Sequence, residues 1–174
     1  MRLIPNHKPR FVGFVAASID GRISLARKKM PDWTSREDWQ FFQRSLTGMD
    51  AVVVGRNTYQ AARTRLRGRT TYVFSNHIPR IVRRGSVTFF NPEKCDVREI
   101  LSRHATIGVL GGSRVYGWMI EHAMLDEIFV TIEPRIFGRG TMMITDLKKT
   151  RRAKLISCRR LNTSGTMLYH YQLV

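Results

Sequence analysis

The sequence predicts an α/β domain with a mostly parallel central sheet, helices on both faces of that sheet and a C-terminal antiparallel pair of strands. Short apolar segments rich in β-branched residues alternate along the chain with segments whose apolar residues recur at helical spacing. The apolar segments do not alternate with polar residues, which is typical of parallel strands covered by helices on both sides. No repeat or linker divides the 174 residues, so we expect one domain over residues 1–174.

The first predicted elements are a strand and a helix. Residues 11–18 form an apolar segment that ends in small residues before Asp20–Gly21, a pair typical of turns. The helix is expected to begin after Ser35, because a serine hydroxyl can accept a hydrogen bond from the free N–H groups of a first helical turn. Asp38 occupies the N3 position of a capping box, and apolar residues follow at helical spacing until Gly48.

The rest of the chain continues the alternation. We predict strands at 50–55, 71–74, 86–90, 106–110 and 126–133, and helices at 57–63, 96–103 and 114–122. Asp96 is the expected N-cap of the second of these helices. The C-terminal segment is predicted to form two further strands, joined by a turn at 162–165 that is rich in small polar residues.

The chain is strongly basic. It has 30 Lys and Arg residues against 13 Asp and Glu residues, and therefore a formal net charge of +17 at pH 7. The basic residues are spread over the whole chain, and no zinc-finger, KH or aromatic RNP signature accompanies them. The even spread of the basic residues and the lack of such a signature disfavour a nucleic-acid partner. They fit a cationic surface of which a part attracts an anionic small molecule.

Composition also limits other classes of function. No apolar stretch is long enough to span a membrane, so we expect no membrane partner and a cytoplasmic location. Cys95 and Cys158 lie too far apart in the sequence for a metal-binding spacing and do not form a disulfide framework, so no metal site is predicted.

Three predicted strands end in residues suited to binding an anion. The segments are Gly111-Gly112-Ser113, Gly55-Arg56-Asn57-Thr58 and Ser75-Asn76. Glycines permit close approach of a ligand, and a helix that follows them offers free N–H groups and the positive end of its dipole. Since ligands of open α/β sheets bind at the carboxyl ends of strands, these ends predict a long, multiply charged ligand, most simply a dinucleotide. The Rossmann fingerprint G-x-G-x-x-G is absent.

Four segments resemble the dihydrofolate reductase superfamily in order and spacing, and the resemblance covers about residues 11–173. They are V-A-A-S-I-D-G-R-I at 15–23, D-A-V-V-V-G-R-N-T-Y at 50–59, V-F-S-N at 73–76 and G-G-S-R-V-Y at 111–116. The resemblance implies a dihydrofolate reductase-like three-layer α/β fold, an oxidoreductase activity and NADPH as the cofactor.

The resemblance also implies which residues hold NADPH. Those expected at its phosphates are Gly55, Arg56 and Thr58, with Asn57 as a further cofactor-binding residue, and those expected at its adenosine side are Ser75 and Asn76. The residues expected around the pyrophosphate and the nicotinamide ribose are Gly111, Gly112, Ser113, Arg114, Val115 and Tyr116, and Leu110 is a further cofactor-binding residue.

The favoured branch of the superfamily is the riboflavin-pathway pyrimidine reductase, which reduces 5-amino-6-(5-phosphoribosylamino)uracil. The A-S-I-D-G-R-I segment, Trp33-Thr34-Ser35 and residues 134–140 resemble this branch. It implies Asp20 as a catalytic residue, a phosphorylated heterocyclic substrate and a homodimer. The substrate-binding residues that it implies are Ala17, Ser18, Trp33 and Ser35.

Two other interpretations stay open. Residues 55–59, with no following D-x-P segment, and the aromatic helix at 38–42 are closer to dihydrofolate reductase itself. In that enzyme an acidic residue on this helix binds the pterin, which implies Asp38 as the catalytic residue. The third interpretation, from another class, is a nucleotide-binding or nucleic-acid-binding protein without catalysis.

Overall fold

The computed structural model describes residues 8–25 and 31–174. The helices of this part of the chain are α1 Arg36–Thr47, α2 Arg56–Ala62, α3 Val97–Leu101 and α4 Ser113–Glu121. Its strands are β1 Arg10–Ser18, β2 Arg22–Ser24, β3 Ala51–Gly55, β4 Thr71–Phe74, β5 Val82–Arg84, β6 Val87–Phe90, β7 Thr106–Val109, β8 Glu127–Glu133, β9 Thr141–Met142, β10 Ala153–Arg160 and β11 Met167–Leu173.

Nine of these strands form one sheet in the order β10-β11-β8-β1-β7-β3-β4-β6-β5. All pairings from β8 through β6 are parallel, whereas β5 on one edge and the β10–β11 pair on the other are antiparallel. The predicted mostly parallel sheet with a C-terminal antiparallel pair is therefore confirmed. The antiparallel edge strand β5 and the small β2–β9 sheet were not predicted, because two or three residues are too few to show a pattern.

The strands at the centre of the sheet are buried on both faces. Val52, Val53 and Val54 of β3 are completely buried, and Val53 belongs to a different apolar cluster from its two neighbours. One cluster includes residues of α1 and α2, and the other includes residues of α3 and α4. The helices thus cover both faces, as the lack of alternation in this strand predicted.

Two of the four helices begin with a side-chain cap. The Ser35 hydroxyl accepts a hydrogen bond from the Asp38 N–H at 3.3 Å, and the Asp96 carboxylate accepts one from the Glu99 N–H at 3.1 Å. Both caps were predicted. Helices α2 and α4 each begin one residue earlier than predicted, directly after Gly55 and Gly112.

Within the described residues, no helix is long and apolar enough to cross a membrane. The same residues contain no group of three or more His, Cys, Asp or Glu side chains that could hold a metal ion.

Candidate active site

The parallel strands bring the predicted site residues to one edge of the sheet. Strands β1, β3, β4, β7 and β8 run in the same direction, so their carboxyl ends lie side by side. Ser18 and Glu133 are register partners at the ends of β1 and β8. Gly55 at the end of β3 likewise pairs with Phe74, the residue before Ser75. This edge is the usual ligand site of an open α/β sheet.

The predicted glycines make one close contact at this edge. The Gly55 N–H donates to the Gly111 carbonyl at 2.6 Å, and the Gly111–Gly112 peptide bond is cis. A Cβ atom on Gly112 would lie 3.3 Å from the Thr58 hydroxyl oxygen, and one on Gly55 would lie 3.1 Å from the Val115 side chain. Side chains at either glycine would fill the space between the two turns, so the backbone itself forms the surface there.

Helices α2 and α4 both begin at these turns with uncompensated N-termini. Neither has a side-chain cap, and neither has an acidic residue in its first turn. Helices α1 and α3, in contrast, have both features. The first turns of α2 and α4 therefore carry no acidic residue of their own, although the Asp146 carboxylate lies 3.6 Å from Arg114 in α4, and their N–H groups and positive dipole ends are suited to an anion such as a phosphate.

Ser75 contributes a second feature that fits a polar ligand. Its side chain is buried after the end of β4, and its hydroxyl has no hydrogen-bond partner in the described part of the chain. A buried hydroxyl without a partner costs free energy that a bound ligand can restore. Asn76, the next residue, is exposed.

The other predicted cofactor-binding residues differ in their exposure to solvent. Arg56, Asn57 and Arg114 are exposed, and the Arg114 guanidinium forms an ion pair with Asp146 at 3.6 Å. Leu110, Ser113, Val115 and Tyr116 are buried or half-buried. Burial raises the pKa of the Tyr116 phenol, whose hydroxyl donates to the Phe14 carbonyl at 2.5 Å. These four residues can shape the edge of the sheet, while the arginines can reach a charged ligand.

Asp38 lies on the buried side of the first turn of α1. The hydroxyls of Thr131, on β8, and Thr34 hydrogen-bond to its carboxyl group. Burial raises the pKa of Asp38, the nearby Glu133 carboxylate raises it further, and the two threonine hydroxyls oppose that shift. A carboxyl group in such surroundings can hold a proton at a higher pH than an ordinary aspartate and pass it to a substrate.

Asp20 has different surroundings. One carboxylate oxygen accepts hydrogen bonds from the Ser18 hydroxyl at 2.6 Å and the Phe137 N–H at 3.0 Å, and the other accepts one from the Gly138 N–H at 2.8 Å. The Ser18 hydroxyl is the main cause of a pKa lowered to about 2 for Asp20. This carboxylate is therefore ionised at neutral pH, and it ties the turn after β1 to residues 134–140.

The predicted substrate-binding residues lie around these two acids. Ala17 and Ser18 are fully buried at the end of β1, and Ser35 caps α1. Trp33 is half-buried and packs edge-on against Phe137, with ring centroids 5.0 Å apart. Trp33 thus lies against the same segment that Asp20 holds.

An apolar cleft between α1 and α2 adjoins the glycine turns. Its lining includes Trp39 and Phe42 of α1, and it also includes Thr58 and Leu110 from the predicted cofactor site. The Arg65 guanidinium covers the Trp39 ring at 4.4 Å from its centroid and lines the same cleft. Stacking of this kind contributes about 0.5–1 kcal/mol at exposed sites.

Sequence reasoning missed Thr131, Glu133 and Thr166. The Glu133 carboxylate is buried and accepts hydrogen bonds from the Ser35 N–H at 2.6 Å and the Thr166 hydroxyl at 2.8 Å. The end of β8 offered a signal, since Thr131 and Glu133 are two residues apart and therefore face the same side of a strand. No signal in the sequence connects Thr166 with either residue.

Comparisons with known proteins agree with this fold. A family model described as "Dihydrofolate reductase" matches residues 12–153, which is most of the chain. No curated protein sequence matches the chain.

Several solved structures share the fold. RibD from Acinetobacter baumannii has a TM-score of 0.77 at 15% identity, over 96% of this chain and 58% of the RibD chain. A pyrimidine reductase-like protein from Corynebacterium diphtheriae has a TM-score of 0.75 at 15% identity, over 98% and 94% of the two chains. Dihydrofolate reductase from Enterococcus faecalis, complexed with NADP(H) and RAB-propyl, has a TM-score of 0.70 at 18% identity, over 96% and 98%. The chain thus spans little more than half of RibD.

Proposed function

Because the chain belongs to the dihydrofolate reductase family, we propose that it is an NADPH-dependent reductase of a heterocycle that contains a pyrimidine ring. The observation that carries this proposal is the buried carboxyl group of Asp38 at the end of the sheet where α2 and α4 also begin. An acid with a raised pKa and an anion-binding edge are the two parts that such a reduction needs.

The residues at the sheet edge fit NADPH. The N-termini of α2 and α4 and the exposed Arg56 would bind its phosphates, and the Ser75 hydroxyl would gain the partner that it lacks among the described residues. Gly55, Gly111 and Gly112 carry no side chain at this edge, which would let the pyrophosphate approach the backbone. When bound, NADPH supplies the hydride, and the protein orients the reacting atoms and excludes water.

Asp38 would supply the proton. Reduction of a C=N bond places a hydride on carbon and a proton on nitrogen. A protonated carboxyl group can donate that proton, and the resulting carboxylate can accept hydrogen bonds from ring N–H groups. Asp20 is less suited to this step because three hydrogen bonds hold it as a carboxylate with a pKa of about 2. We assign it the role of holding residues 134–140 near Trp33.

This division of roles favours a pterin such as dihydrofolate as the substrate. The second candidate is 5-amino-6-(5-phosphoribosylamino)uracil. A separate observation supports it: the buried Arg22 Nε atom forms an ion pair with Asp20 at 3.8 Å but lacks a hydrogen-bond partner within the described residues. A phosphorylated substrate would provide an acceptor for such a donor.

Turnover assays decide between the substrates. Purified protein is mixed with NADPH and either compound, and the loss of nicotinamide absorbance is followed. We expect oxidation of NADPH with dihydrofolate and its near-complete loss in D38N. Turnover of the aminouracil alone would support the second candidate. Absence of NADPH binding together with tight, salt-sensitive binding of RNA or DNA would overturn the reductase proposal.

We further propose a homodimer, as in the riboflavin-pathway branch. Strand β10 is an edge strand whose eight residues are all exposed, and it includes the apolar Leu155 and Ile156. Unpaired edges with apolar side chains are favourable surfaces for strand pairing. Light scattering coupled to size-exclusion chromatography should give twice the mass of the chain, and a monomer at all concentrations would contradict the dimer.

A further inference from the structure

We propose that Glu133 is a positioning residue, which fixes Asp38 against the end of β8 and keeps a second negative charge beside the Asp38 carboxyl group. This inference rests on the proposed function only in that Asp38 is taken as the proton donor. The hydrogen bonds of the Glu133 carboxylate go to Ser35 and Thr166, and its role is exerted through Ser35 and Asp38.

Two hydrogen bonds connect Glu133 with Asp38. The Glu133 carboxylate accepts the Ser35 N–H at 2.6 Å, and the Ser35 hydroxyl accepts the Asp38 N–H at 3.3 Å. Ser35 is the N-cap of α1, so Glu133 holds the residue at which the helix begins. The position of the first turn of α1, and hence of Asp38, is set from the end of β8.

The other Glu133 oxygen is held from the turn between β10 and β11. It accepts the hydroxyl of Thr166, a fully buried residue. Asn162 accepts the Thr166 N–H at 3.1 Å, and its own amide donates to Thr166 at 3.0 Å and to Glu37 at 3.2 Å. Because Glu37 also lies in the first turn of α1, these bonds close a ring through α1, β8 and the hairpin. Such closed networks restrict side-chain geometry more than isolated bonds do.

Glu133 also acts on Asp38 through its charge. Burial of Asp38 is the main cause that raises its pKa, and the Glu133 carboxylate adds to it, while the hydroxyls of Thr131 and Thr34 oppose the shift. Of these neighbours on β8 and before α1, Glu133 is the charged one. Within residues 8–25 and 31–174, neither carboxyl group forms an ion pair. Two buried carboxyl groups without a cation favour retention of a proton on one of them.

Titration of Asp38 tests this inference without any assay of turnover. The carbon-13 shift of the Asp38 carboxyl group is followed against pH in the wild type, E133Q and E37Q. E133Q keeps the shape of the side chain and removes its charge, so we expect Asp38 to titrate at lower pH. E37Q removes one negative charge from the helical turn that also carries Asp38, and it should move the Asp38 midpoint less than E133Q does. Equal shifts in the two variants, or no shift in E133Q, would overturn the electrostatic part.

A second variant separates the effect of the Glu133 charge from the effect of its side-chain length. E133D keeps the negative charge but is one methylene too short for both of its hydrogen bonds, so the Asp38 midpoint should stay closer to that of the wild type. The Ser35 amide should exchange its hydrogen faster in E133D because it loses its acceptor. Unchanged exchange of the Ser35 amide would overturn the positioning role of Glu133. Because E133D is a separate variant, this test remains available if E133Q does not fold.

The pH dependence of turnover then links Glu133 with catalysis. If protonated Asp38 donates the proton, kcat falls as pH rises through its pKa, and in E133Q this fall should occur at lower pH. The loss of kcat at pH 7 should be smaller than the loss of about 10²-fold or more expected for D38N. A shifted titration with an unshifted pH profile would leave Glu133 beside Asp38 but would contradict Asp38 as the donor.

Discussion

Burial of the Asp38 carboxyl group destabilises the fold at neutral pH, and the same burial suits the group to the proposed proton transfer. Its pKa is raised chiefly by desolvation, so the ionised form is less favourable in the folded chain than in the unfolded chain. The wild type therefore loses stability as pH rises through the pKa of Asp38. We expect D38N to raise Tm at neutral pH while it lowers kcat by about 10²-fold or more.

Thermal melts of the wild type and D38N over a series of pH values test this prediction. The gain in Tm should grow with rising pH and vanish in acid, where Asp38 is protonated in both states. A difference in Tm that is the same at every pH would show that the charge of Asp38 is not its cause.

The pKa shift of Asp20 has the opposite sign to that of Asp38. Its pKa is lowered from 3.8 to about 2, because the folded chain supplies donors to its carboxylate. Asp20 therefore stabilises the fold above its unfolded pKa, and this contribution is lost as pH falls toward about 2. D20N should unfold at lower urea concentration than the wild type at pH 7, and the two midpoints should converge near pH 2. A difference between the two urea midpoints that persists in acid would contradict the ionised Asp20 carboxylate as its cause.

The two arginines at the predicted cofactor site should contribute unequally. Arg56 forms no ion pair with any described residue, whereas Arg114 is already paired with Asp146. We expect R56A to weaken NADPH binding by about tenfold or more and R114A to weaken it less. Fluorescence titrations with NADPH and NADH provide the comparison. Equal losses for both nucleotides would count against a contact to the 2′-phosphate.

At the scale of elements, helix α4 is held by the segment that crosses it. A Cβ atom on Gly117 would lie 1.8 Å from the Thr145 carbonyl oxygen, so the helix and this segment touch through backbone atoms. We expect G117A to lower the free energy of unfolding by about 1–3 kcal/mol, despite the higher helix propensity of alanine.

G48A is the matched control for this prediction. The nearest atom to a Cβ on Gly48 is the Ser45 carbonyl oxygen at 3.8 Å, an ordinary contact. Urea unfolding should therefore show a far smaller change in G48A. Similar losses in the two variants would indicate a general cost of replacing glycine by alanine rather than a clash with Thr145.

The elements also show which parts of the site could be predicted from sequence. Ser35 and Asp96 cap their helices through bonds to residues three positions away, and such local chemistry is visible in a sequence. The glycine turns could be found because parallel strands end at a common edge. Thr131 and Glu133 also lie at the carboxyl end of a parallel strand. They alternate with apolar residues, however, so their segment resembles an ordinary half-buried strand. The partner Thr166 is 33 positions from Glu133 and belongs to another element.

For the whole molecule, the net charge of +17 should act on the rate at which ligands arrive. A cationic surface attracts a multiply charged anion over about one Debye length, which is about 10 Å at 0.1 M salt. We expect KM for NADPH to rise with ionic strength, with a smaller effect on kcat. Stopped-flow association at several salt concentrations would measure this, and a rate independent of salt would show that the charge serves another purpose.

The Thr166–Glu133 bond has a consequence for biosynthesis. A ribosome makes the chain from its N-terminus, so α1 and β8 leave the exit tunnel before the turn that carries Thr166. Until that turn arrives, one oxygen of the Glu133 carboxylate lacks the donor that holds it in the folded protein. A nascent chain in which β8 has left the tunnel but the Thr166 turn has not can have most of the sheet in place and still lack this donor to Glu133, so the proposed reductase activity should emerge late in translation.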